Sequence, residues 1–353
     1  MNDVLDCLVI GAGQAGLSTS FHLRRLGIEH VVLDANDDAG GAWKHRWDAL
    51  TMADVHGVAD LPDAPVPPAS GSERANAFVP EYFAAYERAH DLPVERPVVV
   101  DRVEDDHDDP TLLRVHAGSR AWLVRTLVNA TGTWRRPFIP HYPGQEVFAG
   151  EQFHTVGYPG PEHFRGKRVL VVGGGASAVQ FLGAIRPLTD TLWVTRREPV
   201  WRTGEFDPEA GREAVAMVVE RVQQGLPPRS VVSVTGLMLR PQEAEAERLG
   251  AYQRHPMFER LEPDGVRWAD GRFEPVDAIL WATGFRPDVE HLAPLHLRSP
   301  RGGIQLGSTP QTATESVVDP RVQLVGYGPS ASTIGANRAG RTAAVAVRRH
   351  LRP

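Results

Sequence analysis

Two short glycine-rich segments, each directly behind a run of apolar residues, constrain this chain more than anything else in it. The first is Gly11-Ala12-Gly13-Gln14-Ala15-Gly16, behind Cys7-Leu8-Val9-Ile10. The second is Gly173-Gly174-Gly175-Ala176-Ser177-Ala178, behind Val169-Leu170-Val171-Val172. Both have the form G-x-G-x-x-G/A. In that form a strand ends, the backbone turns with no side chains in the way, and a helix begins with its unpaired amides aimed at the turn. One match is weak evidence. Two in one chain predict two α/β units of the Rossmann kind.

The surrounding pattern supports both. Residues 4–10 read as a strand, 14–26 as a helix stopped by Gly27, and 30–34 as a second strand ending in Asp34. Residues 168–172, 176–186 and 191–195 repeat the order, ending beside Arg196 and Arg197. Between them, 60–72 is rich in proline, glycine and serine and reads as a loop, 78–90 as a helix, and 98–104, 111–117 and 122–128 as a small β meander. Residues 205–262 read as helical with irregular ends. A strand at 276–284, one at 322–325 and an amphipathic helix at 335–351 close the chain. The segments Ala130-Thr131-Gly132 and Ala282-Thr283-Gly284 are expected to be the crossings between the two units.

Composition narrows the function. With 353 residues, 42% apolar and 23% charged, the chain has the length and balance of a soluble two-domain protein. No apolar run approaches the roughly 20 residues that span a bilayer, and nothing at the start resembles a signal peptide. A cytoplasmic location is the expectation. A net charge of −6 with dispersed arginines argues against nucleic acid as a partner. Cys7 is the only cysteine and sits inside the first apolar strand. No dithiol relay or cysteine-ligated cluster can be built from it, and no metal site is expected.

Two pyrophosphate loops suit a flavin and a nicotinamide, so the chain reads as a redox enzyme. Asp34 stands about 20 residues behind its loop, where an acid can hold ribose hydroxyls. Arg196 and Arg197 occupy the matching place behind the second loop. Two guanidiniums there can fork onto a 2′-phosphate, which predicts NADPH rather than NADH.

Phe148-Ala149-Gly150-Glu151-Gln152-Phe153-His154-Thr155-Val156-Gly157-Tyr158 has the form F-x-G-x-x-x-H-x-x-x-Y. It resembles the fingerprint of flavin-containing monooxygenases and their Baeyer–Villiger relatives, in which a final tryptophan usually marks the Baeyer–Villiger enzymes. Tyr158 therefore leans towards the former branch. Gly40-Gly41-Ala42-Trp43 resembles the family's G-G-x-W, and Ala282-Thr283-Gly284-Phe285 its A-T-G-F segment. The resemblance covers nearly the whole chain and is closest in length to the compact bacterial members. Two departures stand out: the ribose acid is Asp34 instead of the usual glutamate, and residues 51–56 lack the asparagine that many members carry.

The resemblance implies an FAD domain at 1–159 plus 281–353 with an NADPH domain inserted at 160–280. FAD would lie on Gly11, Gly13, Gln14, Ala15, Gly16 and Asp34, with Gly41, Trp43, Thr131 and Gly132 nearby. NADPH would lie on Gly173, Gly175, Ala176, Ser177, Ala178, Arg196 and Arg197. Thr283 and Gly284 would join at the return crossing, and Ser332 and Thr333 at the helix start against the flavin pyrimidine. No catalytic acid or base is assigned, and His154 is read as a structural hydrogen-bonding residue. The implied reaction is NADPH-dependent transfer of one atom of O2, through a C4a-peroxyflavin, to a small thioether or amine, with ketones as an extension. A flavin reductase serving a small carrier protein shares the two-loop fold and remains the alternative. A homodimer is an allowed assembly.

Overall fold

The computed structural model describes residues 4–55, 58–201, 208–228, 236, 237, 239 and 241–352, except for the side chains of 208–214, 242, 333 and 334. His56, in the segment without asparagine, lies outside the described residues. So does much of the middle of 205–262. The chain divides into two units: Met1–Thr133 with Arg212–Val231 and Pro287–Pro353, and Trp134–Gly211 with Val232–Arg286.

The first unit is built on a seven-stranded sheet. Its strands are β1 (Val4–Ile10), β2 (His30–Leu33), β3 (Val94–Glu95), β4 (Arg102–Asp105), β5 (Leu113–Ala117), β6 (Arg120–Asn129) and β15 (Val322–Leu324). Strand order is β3-β2-β1-β6-β5-β4, and β15 pairs with the second half of β6. β1 pairs parallel with both β2 and β6. Cys7, Leu8 and Val9 have no exposed surface, as expected of a parallel strand covered on both faces. Helix α1 (Gln14–Arg25) links β1 to β2, and the last helix, α6 (Thr333–Leu351), packs beside it. Gly340 makes the approach of α6 possible, because a Cβ there would stand 2.7 Å from the Ser18 hydroxyl. Helix α2 (Ala75–Ala89) adds Val79, Tyr82, Phe83 and Tyr86 to the same core.

The expected β meander exists, but its third strand does more than predicted. β6 runs ten residues and enters the main sheet next to β1. Its antiparallel pairing with β5 uses only its first half.

The second unit has a five-stranded parallel sheet in the order β10-β9-β8-β14-β7. The strands are β7 (Glu151–His154), β8 (Val169–Val172), β9 (Thr191–Val194), β10 (Arg254–His255) and β14 (Ala278–Trp281). Helix α3 (Ala176–Ile185) links β8 to β9 and buries Val179, Phe181, Leu182 and Ile185. A small antiparallel sheet, β11 (Arg260–Glu262), β12 (Gly265–Arg267) and β13 (Phe273–Pro275), completes the unit.

Two expectations are corrected here. The second unit starts at Trp134 instead of 160, because β7 pairs parallel with β14. Residues 212–231 return to the first unit, where Val222 of helix α4 (Pro208–Gln223) joins the core with Val289 and Tyr327. The second correction concerns 205–262, read as helical with irregular ends. After α4 and the short α5 (Ala244–Arg248) it turns into strands β10 and β11.

Candidate functional site

In the first unit the chain leaves β1 at Gly11 with φ of +100°, and a Cβ there would meet the Ala130 carbonyl oxygen at 2.7 Å. Only glycine takes this turn without strain. Gly16 is packed tighter still, since a Cβ would overlap the Gly11 carbonyl. Gly13, which caps α1, is different: its added Cβ would meet only the Cα of Gly41, at 3.9 Å. Gly13 therefore fronts open space with the amides of Gln14, Ala15 and Gly16 behind it, a cradle suited to a pyrophosphate. Gly41 closes one side, and a Cβ on it would come 2.9 Å from the Gly13 Cα. Gly326 lies on another, where an added Cβ would come 3.7 Å from the Ala15 Cβ and 3.9 Å from the Gly132 Cα.

Asp34 is 4% exposed. One carboxylate oxygen accepts from the Ala12 amide at 2.6 Å and the other from the Asn36 amide at 2.8 Å. It thus ties its own turn to the glycine loop, and each oxygen keeps a lone pair for a hydroxyl. The Gln14 side-chain amide donates to Ala59 O and to Asn337 Oδ1, both at 3.1 Å. Its buried Oε1 has no hydrogen-bond partner among the described residues. Sequence reasoning did not connect Asn337 with this loop. Trp43 lies in a short 3-10 helix, Gly41–His45, packed on the first unit's core, with the Arg46 guanidinium 5.7 Å from its ring. Burial pushes the Arg46 pKa down to about 10.

The two Ala-Thr-Gly segments spend their hydroxyls on neighbouring backbone. Thr131 Oγ1 donates to Asp288 O at 2.5 Å, and the Asp288 amide returns a bond to Gly132 O at 2.9 Å. Thr283 Oγ1 donates to Phe138 O, and the Phe138 amide to Gly284 O at 3.0 Å. His154 Nδ1 accepts from the Val156 amide at 3.2 Å, which leaves Nε2 to donate to Gly284 O at 3.0 Å. That pattern fixes one neutral tautomer, and burial holds its pKa below the ordinary value. Its place between backbone groups is that of a positioning residue. Tyr158 is buried against Phe164 and Phe181, and burial pushes its phenol pKa up.

In the second unit Gly173 has φ of +137°, and a Cβ there would overlap the Ala282 carbonyl. Gly175 caps α3 ahead of Ala176, Ser177 and Ala178, and an added Cβ would meet nothing within 4 Å. The same cradle is repeated. Gly174 faces Thr195, a Cβ there meeting the Thr195 methyl at 3.6 Å, which brings the loop beside Arg196 and Arg197. Both arginines are exposed. Among the described residues neither forms an ion pair. Ser332 Oγ caps α6 by accepting from the Gly335 amide at 3.1 Å. The Thr333 side chain lies outside the described atoms. Among the described residues, no cluster of side chains suits a metal ion and no helix is long and apolar enough to cross a membrane.

Two phosphate cradles in one chain, with the only cysteine fully buried and its thiol pKa pushed up to about 12 by that burial, define an oxidoreductase that works through bound dinucleotides and not through a protein dithiol. Residues 8–215 match the model of the pyridine nucleotide-disulphide oxidoreductase family. The solved flavin-containing monooxygenase from Stenotrophomonas maltophilia is 36% identical, with 99% of this chain and 98% of that one covered and a TM-score of 0.82. The chain belongs to the pyridine nucleotide-disulphide oxidoreductase family and, more narrowly, to the flavin-containing monooxygenases. Indole-3-pyruvate monooxygenase YUCCA1 of Oryza sativa subsp. japonica is 27% identical over 320 residues, 80% of this chain and 77% of its own. OTEMO, solved in complex with FAD and NADP, is 17% identical over 99% of this chain and 86% of its own. Its TM-score of 0.67 shows a shared fold. The chain is accordingly an enzyme, a flavin-dependent oxidoreductase of the monooxygenase type.

Proposed function

We propose that this enzyme holds FAD on the Gly11 loop and NADPH on the Gly173 loop, and transfers one atom of O2 to a small thioether or amine. The observation that carries the reading is the pair of open cradles over Gly13 and Gly175. At both positions an added Cβ would meet little or no protein, whereas at the neighbouring Gly11, Gly16 and Gly173 it would collide with backbone. Space kept clear above a helix N-terminus is what a pyrophosphate needs.

Bound FAD supplies the hydride acceptor and the site of oxygen activation, and the protein supplies the rest. The first amides of α1 and α3 face the two pyrophosphates. Asp34 keeps a lone pair on each oxygen for the ribose next to its loop. Arg196 and Arg197 read the 2′-phosphate. Thr131 is held to Asp288 within the first unit and Thr283 to Phe138 within the second, with His154 fixing Gly284. The Gly326–Ser332 loop presents the capped start of α6. Tyr158 at the last fingerprint position favours a soft nucleophile over a ketone as substrate.

The test is oxygen transfer from 18O2 in the presence of NADPH, with an aryl methyl thioether, a tertiary amine and a cyclic ketone offered in turn. Labelled sulfoxide or N-oxide is expected. Labelled lactone alone would reassign the substrate class. NADPH oxidation that yields hydrogen peroxide with every substrate would overturn oxygen transfer, and its stimulation by a carrier protein would establish the reductase.

A further inference from the structure

The geometry points to Arg254 as the residue that positions the Arg196–Arg197 turn for a 2′-phosphate, and so as a determinant of nicotinamide specificity that touches no cofactor itself. This rests on the reading that the turn receives NADPH.

Arg254 lies on β10, one strand over from β9, opposite Trp193. Its guanidinium reaches along the sheet to the residue that follows β9. Nε donates to Thr195 Oγ1 at 2.8 Å and Nη2 to Thr195 O at 3.3 Å. Nη1 pairs with Glu198 at 2.7 Å. Thr195 is 1% exposed. A guanidinium only donates, so the Thr195 hydroxyl proton must point elsewhere. It goes to Arg197 O at 2.6 Å. One side chain thereby fixes the turn at Thr195, Arg197 and Glu198 while Arg196 and Arg197 project into solvent.

Two consequences follow for an anion. Glu198, the one acid in the turn, is held by Arg254 instead of by the phosphate-reading arginines. The backbone carrying both arginines is ordered before the ligand arrives, which removes part of the cost of binding. The Arg254–Glu198 pair, with Glu198 79% exposed, contributes little as a salt bridge. Its effect is on geometry.

The experiment uses the FAD-loaded enzyme and measures calorimetric binding of adenosine 2′,5′-bisphosphate and of 5′-AMP at fixed ionic strength. Arg254→Met is expected to weaken the bisphosphate about five- to tenfold and AMP less than about twofold. Arg254→Lys should recover only part of this, since an ammonium cannot fork onto both Thr195 oxygens. Thr195→Val, which leaves the Arg254–Glu198 pair in place, should give the same selective loss. In turnover, KM for NADPH should rise with kcat unchanged. The clamp is overturned if Arg254→Met and Thr195→Val bind the bisphosphate as wild type does while Arg196→Gln/Arg197→His loses it. Equal weakening of both nucleotides by Arg254→Met and Thr195→Val would also overturn it. If Arg196→Gln/Arg197→His itself discriminates as wild type does, the turn reads no 2′-phosphate, and the cofactor reading fails together with the clamp.

Discussion

The Ala12 amide donates a 2.6 Å hydrogen bond to the carboxylate of Asp34, tying the end of β2 to the glycine loop that follows β1. Ala12 has no exposed surface and Asp34 almost none. Asp34→Ala would leave the Ala12 and Asn36 amides without this acceptor. Hydrogen bonds to a charged group contribute about 1.5–3 kcal/mol each, so a loss of roughly 3 kcal/mol is expected together with loss of FAD. Denaturant unfolding of the apo protein and the flavin-to-protein absorbance ratio measure the two effects separately. Wild-type FAD content in the variant would refute the role given to Asp34.

The loop glycines should divide by what a methyl group would strike. Gly16→Ala places a Cβ on the Gly11 carbonyl and should yield little folded protein. Gly13→Ala strikes nothing closer than 3.9 Å, so it should fold normally and emerge depleted of FAD. Gly175→Val should keep both fold and yellow colour and slow flavin reduction by NADPH. Circular dichroism, the flavin spectrum and stopped-flow reduction distinguish the three. Loss of FAD in Gly175→Val with normal NADPH affinity would mean that the two sites are exchanged.

Replacing Arg196 and Arg197 tests cofactor preference. A charge-assisted hydrogen bond to the 2′-phosphate is worth about 1.5–3 kcal/mol, and screening at an exposed site lowers that. Arg196→Gln/Arg197→His should therefore raise KM for NADPH about tenfold and leave NADH nearly unchanged, with little effect on hydride transfer at saturation. Equal use of NADH and NADPH by the wild type would make these arginines an ordinary solvated turn.

Acid should weaken the second unit through His154. Burial lowers its pKa, and the bond to Gly284 O offsets only part of this. The unfolded chain, at the ordinary value of 6.5, takes up the proton first. The stability from neutral His154 is complete above that value and is lost as pH falls through the lower folded-state value. His154→Gln keeps a donor for Gly284 and does not titrate, so its melting temperature should fall less steeply than wild type as the pH drops below 6.5. His22, His30 and His255 are lowered in the same way and should keep the remaining slope. Parallel curves for variant and wild type would remove His154 from the effect.

Both strand–loop–helix units were legible because every signal they need is local. Four apolar residues, a glycine that must turn and a helical period lie within some twenty positions, and the helices at 14–25 and 176–185 end within a residue of their expected limits. The sole cysteine excluded a dithiol before any fold was known. Other features depend on partners far apart in sequence. β7 belongs to the second sheet because of its pairing with β14, more than a hundred residues later. β6 is a central strand because β1 and β15 both accept it. Gln14 meets Asn337 only once α6 has folded back along α1. Arg254 looked like any other dispersed arginine until β10 laid it against β9 and turned its guanidinium onto Thr195. Backbone turns and helix starts are decided by residues that are neighbours in the chain. Strand neighbours and the aim of a charged side chain are decided by the burial of whole faces, and those assemble only in three dimensions.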